Sequence, residues 1–249
     1  MPDAGPVTGL VRAAVGDLVV AWHDLVLGGG CTVCSRPGPA LCAPCRDGLR
    51  AAPFEAWPSP TPPGLVLPVA AAAYDGAVRD LVLAHKERHR LALARPLGGL
   101  LAAAVLGLCE VAVVEAEGGR RPVLLVPVPS HPSVVRERRH DPLLRTARCA
   151  AGDLRRRGVA ARVDQRLRLL RRPGDQAGLD ARGRAENVRG TLVARPSGHA
   201  PAGTLVLVDD VVTTGATLRE AQRALEAADL LVAGAATVAA TRRHLRTSP

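Results

Sequence analysis

Apolar residues recur at helical spacing over Leu10–Leu27, where Leu10, Ala14, Leu18, Ala21 and Leu25 share one face, and Gly28–Gly30 ends the pattern. After a proline-rich interval the pattern alternates between short apolar runs and helical stretches. Leu65–Ala73 predicts a strand, Ala77–His89 and Leu91–Leu108 predict helices, and Arg121–Val128 predicts a buried strand bounded by charge and proline. A helix over Leu143–Arg157 follows, with Asp141 as its N-cap and Pro142 at its first position. A strand over Val159–Val163, a polar loop over Arg171–Glu186 and a strand over Asn187–Ala194 come next. The chain then predicts strand Thr204–Val208, helix Thr214–Ala228 and strand Leu230–Ala240. Strands alternating with helices after residue 65 imply an α/β fold whose sheet is mostly parallel and flanked by helices.

Leu97–Val114 is apolar apart from Glu110 and reaches the lower edge of a membrane span. The internal glutamate and three glycines fit a buried helix followed by a turn or strand better, so no membrane span is expected. The first 27 residues are interrupted by Asp3, Arg12, Asp17 and Asp24, unlike a secretory signal. The expected compartment is cytoplasmic, where thiols stay reduced.

The spacing Cys31-x2-Cys34-x7-Cys42-x2-Cys45 presents two CxxC knuckles, with Arg36-Pro37-Gly38-Pro39 reversing the chain between them. Four thiolates so placed converge on one tetrahedral ion, and a segment with almost no core needs such a staple. Structural Zn²⁺ is the expectation, with disulfides as the alternative. Residues 53–68 hold six prolines and read as an extended linker. The expected organisation is an N-terminal helix and zinc-ribbon-like module over 1–52, the linker over 53–68, and the α/β domain over 69–249.

The formal net charge is +10, and residues 155–195 contain 12 arginines against 4 acidic residues. Such a stretch is either a solvated face or an anion-binding surface for phosphates or nucleic acid. Trp22, Phe54, Trp57 and Tyr74 are the only aromatic residues, which leaves few platforms for stacking bases.

The candidate chemistry lies in Thr204–Leu218. An apolar strand is followed by Asp209 and Asp210, then by Thr213, Thr214, Gly215, Ala216 and Thr217 at a helix start. Open α/β sheets bind ligands at the carboxyl ends of their strands, and small residues opening a helix let a phosphate reach its amides. No lysine accompanies the loop, so it is not the GxxxxGK[ST] type. A simple helix cap would not call for two adjacent carboxylates.

The run VLVDDVVTTGATL resembles the ribose-phosphate fingerprint of type I phosphoribosyltransferases. Three further segments resemble the ComF branch, known from competence and DNA-uptake proteins: the cysteine module, Val126–Arg138, and Arg171–Leu179 followed by Arg184 and Asn187. Tyr74-Asp75-Gly76 with Lys86 fits a weaker family pattern. The chain departs from that branch where R-E-R-G-F-N-Q is usual, reading Arg136-Glu137-Arg138-Arg139-His140-Asp141-Pro142.

The resemblance implies a type I phosphoribosyltransferase-like domain that binds phosphoribosyl pyrophosphate or a nucleotide with Mg²⁺. Asp209 and Asp210 would hold the ribose hydroxyls directly or through the metal, and Thr213–Thr217 the 5′-phosphate. Ser130, His131, Arg136 and Arg138 would face the pyrophosphate, and Gln176, Arg184 and Asn187 would lie in or beside a closing loop. A transferase would pass phosphoribosyl to an acceptor the sequence does not identify. Two alternatives stay open. One is a non-catalytic accessory protein that binds single-stranded DNA and works with a DNA-uptake helicase in uptake or recombination. The other is a nucleotide-sensing regulator.

Overall fold

The structure, a computed structural model, describes residues 29–111, 121–130, 135–136, 140–170, 188–195 and 202–241. The helix expected over Leu10–Leu27 and the loop expected over Arg171–Glu186 lie outside these residues.

The described elements run α1 (Ala43–Asp47), β1 (Phe54–Glu55), β2 (Pro68–Ala73), α2 (Gly76–Glu87), a 3-10 turn (Leu91–Leu93) and α3 (Ala94–Val111). They continue with β3 (Val123–Pro127), α4 (Pro142–Arg156), β4 (Ala161–Val163), β5 (Leu167–Leu169), β6 (Leu192–Ala194), β7 (Thr204–Val212), α5 (Ala216–Glu226) and β8 (Val232–Ala240). The main sheet has the order β1-β2-β8-β7-β3-β4. Its strands β2, β8, β7, β3 and β4 are parallel, and β1 pairs antiparallel on the β2 edge. The expected mostly parallel α/β sheet with flanking helices is therefore present.

Two cores sandwich this sheet. On one face Val206, Val208, Leu125 and Ala236 pack with Leu81 of α2, Leu97 and Leu101 of α3, and Leu154 of α4. On the other, Leu205, Leu207 and Leu124 pack with Leu218 and Leu225 of α5 and with Leu167 and Leu192. Removing a side chain such as Leu207 from water contributes about 1.5–3 kcal/mol.

The 21-residue segment Leu91–Val111 is long and apolar enough to cross a membrane, yet much of it lies inside the first core. A Cβ on Gly98 would stand 2.5 Å from that of Cys149, so glycine is what lets α3 and α4 approach so closely.

The N-cap expectation at α4 holds. Asp141 Oδ1 accepts from the Leu144 amide at 3.0 Å, and Pro142 occupies the first turn. Buried His85 joins α2 to α4, with Nδ1 3.1 Å from the Arg90 carbonyl oxygen and Nε2 3.2 Å from that of Pro142. Burial, the largest influence, lowers its pKa below the ordinary histidine value, against the two carbonyls that favour the proton.

The sequence pattern missed α1, β1 and β5. β5 and β6 form a separate two-stranded antiparallel ribbon, of which only the second strand was expected. Glu220 fastens the ribbon to α5, its Oε1 accepting from the Leu192 amide at 3.1 Å, while Arg223 bonds both Glu220 and the Leu192 carbonyl. Burial would raise the Glu220 pKa, but Arg223 and the backbone amides outweigh it and hold the group below its ordinary value.

The proline-rich stretch is stitched along the α/β domain. Phe54 and Glu55 form the edge strand, and Ala56 and Leu65 are buried in the second core. Val66 N donates to Gln222 Oε1 at 2.9 Å. Gln222 Nε2 donates to Gly64 O and Arg219 Nε to Pro63 O, both at 2.9 Å. The cysteine module docks on the opposite face. Ala40 is buried in the first core, Val33, Leu41 and Leu49 pack on it, and Arg90 Nη1 donates to the Gly30 carbonyl.

Candidate functional site

The four-cysteine knuckles close as their spacing requires. All four sulfur atoms lie within 4.8 Å of one another, and Cys34 Sγ is 3.6 Å from Cys42 Sγ. A tetrahedral zinc ion with bonds of about 2.3 Å places its sulfurs about 3.8 Å apart, whereas a disulfide needs about 2.05 Å. The cysteines are free thiols, so the disulfide alternative falls.

The Cys42 amide points at Cys31 Sγ from 3.5 Å. Burial pushes the Cys31 thiol up, but amides of Cys42, Cys34 and Val33 outweigh it and bring it to about 6. Cys45, hydrogen-bonded first to Cys42 and then to Cys34, is pushed up to about 12. A cluster that must share protons among four sulfurs is one in which a metal ion replaces those protons. The cluster is compatible with Zn²⁺.

Asp209 and Asp210 lie within β7, not after it. The strand runs four residues beyond Val208 because β8 continues beside it, with Asp209 opposite Thr237 and Val212 opposite Ala240. This ladder half-buries both acids at the carboxyl end of the sheet. The Asp210 amide donates to Asp209 Oδ1 at 2.8 Å, and Lys86 Nζ, from the last turn of α2, lies 2.5 Å from Asp210 Oδ2. Burial first, then the charge of Asp210, pushes Asp209 up to about 7, with Lys86 opposing.

The chain then turns through Thr213, which is exposed, and Thr214 and Gly215, which are buried, into α5, with Ala216 buried and Thr217 half-buried. The N-cap is Gly215 at φ +72°, without a side-chain cap bond. The Ala216 amide stands 3.5 Å from Thr214 Oγ1, too long for a firm bond. The helix therefore begins two residues later than expected, and no side chain closes its first turn. Behind the turn lies the proline-rich stretch: a Cβ on Gly215 would meet Pro58 Cγ at 2.9 Å and Leu65 Cδ2 at 3.1 Å.

One strand over, the end of β3 opens into a cavity of about 390 Å³ lined by Ser130, Arg136, Asp141, Gln165, Arg168 and Arg195, among others. Ser130 Oγ donates to Asp141 Oδ1 at 3.4 Å. Among the described residues, no aromatic side chain lines this cavity.

The structure thus places the Asp209–Asp210 pair, the 213–217 turn and Ser130 along one sheet edge, with Arg136 in the cavity beside them. His131, Arg138, Gln176, Arg184 and Asn187 lie outside the described residues. Lys86 was not among the expected site residues. Its signal was its singularity, the only lysine in a chain whose other basic side chains are arginines and histidines.

Paired carboxylates lead to an uncapped helix start at the carboxyl edge of a parallel sheet, the edge at which open α/β domains hold their ligands. The phosphoribosyl transferase domain family matches residues 177–248, which span β6, β7, the 213–217 turn, α5 and β8. A phosphoribosyl transferase domain is therefore present over residues 177–248. No curated protein matches the sequence.

Proposed function

We propose that this protein is a ComF-type phosphoribosyltransferase that binds phosphoribosyl pyrophosphate and transfers its phosphoribosyl group to an acceptor. The observation that supports this best is the acid pair near the carboxyl end of β7, with Asp210 five residues before Gly215, the N-cap of a helix that no side chain caps. In this reading the amides of Thr213–Thr217 cradle the 5′-phosphate, aided by the threonine hydroxyls and the helix dipole. Asp209 and Asp210 grip the ribose hydroxyls. Ser130 and Arg136, with His131 and Arg138, face the pyrophosphate, while Gln176, Arg184 and Asn187 help to exclude water from the reacting centre.

The hard oxygen donors of the acid pair suit Mg²⁺, which when bound would neutralise charge on the departing pyrophosphate. The residues' own work is positioning and charge stabilisation while the bond from the anomeric carbon to pyrophosphate breaks and the acceptor takes that carbon. Asp209 and Asp210 orient the sugar and ease its growing positive charge. Asp141 keeps the β3 loop in place through Ser130 and the α4 cap.

The test is calorimetric titration of phosphoribosyl pyrophosphate into the wild-type protein and Asp210→Asn, followed by pyrophosphate release across a panel of nucleobases. Losing charge-assisted hydrogen bonds of about 1.5–3 kcal/mol lowers affinity by about 10- to 100-fold. Equal affinity in both proteins would overturn the site. Intact binding without turnover would point to the nucleotide-sensing regulator. Salt-dependent binding of single-stranded DNA that survives Asp210→Asn would point to the accessory role.

A further inference from the structure

Lys86 sits on one of the two acids that the proposed chemistry needs. Its ammonium is 2.5 Å from Asp210 Oδ2, with side chains 35% and 19% exposed, so the pair is sheltered but open enough to separate. The choice of side chain is informative in a chain that uses arginine at every other Lys/Arg position. A guanidinium makes rigid two-toothed pairs with carboxylates, whereas an ammonium is a compact charge on a flexible stem. Other ion pairs here are built from arginine, as at Arg223–Glu220 and Arg166–Asp164.

Two adjacent carboxylates repel, and Lys86 offsets half of their charge. The acid pair also suits a hard divalent cation, which binds carboxylate oxygen at about 2.1 Å. A cation and an ammonium in contact with the same Asp210 Oδ2 exclude each other on size and charge. Lys86 has somewhere to go, because it lies in the last turn of α2, where the helix dipole favours a cation.

We infer that Lys86 is the resident counter-charge of the acid pair, held on Asp210 in the empty site and displaced when a divalent cation or a cation-bearing sugar diphosphate arrives. This rests on the reading of Asp209 and Asp210 given above and deepens it. Lys86 is a positioning residue that keeps the empty site neutral enough to stay formed and makes cation entry competitive.

Since the chain has one lysine, protein labelled with ¹³C-lysine gives a single side-chain Cε signal. Titrating MgCl₂ alone into zinc-loaded protein moves that signal to its position in Asp210→Asn. In parallel, Mn²⁺ binding followed by electron paramagnetic resonance tightens at least tenfold in Lys86→Met and weakens in Lys86→Arg, whose guanidinium holds the carboxylate more firmly. Circular dichroism checks each variant's fold, and Lys86→Gln replaces Lys86→Met if the latter is unfolded. Equal or weaker Mn²⁺ binding in the neutral variant overturns the inference, as does Mg²⁺ binding that leaves the lysine signal in place. If wild-type protein gives the expected cation results but binds no phosphoribosyl pyrophosphate, the proposed function fails and the Lys86 inference stands. Flat cation results with intact donor binding do the opposite: the Lys86 inference fails and the proposed function stands.

Discussion

Asp209→Asn should stabilise the ligand-free protein, and the gain should grow with pH. The Asp209 carboxyl is lifted from 3.8 to about 7 by burial and by Asp210. The fold thus prefers the protonated acid. Its contribution is fully present below about 3.8 and is lost as pH rises through about 7. At about 1.4 kcal/mol per pH unit, the raised pKa lowers stability, relative to a side chain that never ionises, by about 1.7 kcal/mol at pH 5 and about 4.3 kcal/mol at pH 8. The pair is half-buried, and solvent screening reduces the difference of about 2.6 kcal/mol to about 1 kcal/mol. Asparagine is neutral throughout and keeps an oxygen for the Asp210 amide. Urea midpoints of both proteins, zinc-loaded and without added Mg²⁺, should diverge by that amount between pH 5 and pH 8. Zinc loss at low pH affects both alike and cancels. A gap that is constant with pH, or that narrows as pH rises, would refute the reasoning.

Two further outcomes follow from the packing. Cys42→Ser removes a buried ligand from the four-sulfur cluster, so zinc content by atomic absorption should fall from about one ion per chain to well below it. Gly98→Val pushes a side chain into Cys149 and should cost about 2 kcal/mol in urea unfolding, because α3 and α4 cannot move apart without opening the first core.

The strands buried on both faces were readable because an apolar run such as Val123–Pro127 fits little else, and the α4 start was readable because Asp-Pro fixes a cap. The boundaries of β7 and α5 were not. Adjacent acids look like a strand's end, yet β8 supplies ladder partners up to Val212, and Gly215 takes a left-handed turn that delays the helix to Ala216. β5 escaped notice because three residues of Leu-Arg-Leu alternation make no pattern until Leu192–Ala194 pairs with them. At the site, Asp209, Asp210 and the 213–217 turn could be named from one continuous stretch. Lys86 reaches them from 124 positions earlier in the chain, a closeness that folding alone creates.

The stretch between the cysteine module and β2 bears on how this protein can be divided. Cutting after residue 52 severs the knuckles yet spares the prolines behind Gly215. Cutting at residue 68 bares one wall of that glycine, strips Gln222 and Arg219 of their backbone acceptors, and leaves the hollow once filled by Leu65 open to water. Physically, this apparent spacer belongs with the phosphoribosyl transferase domain.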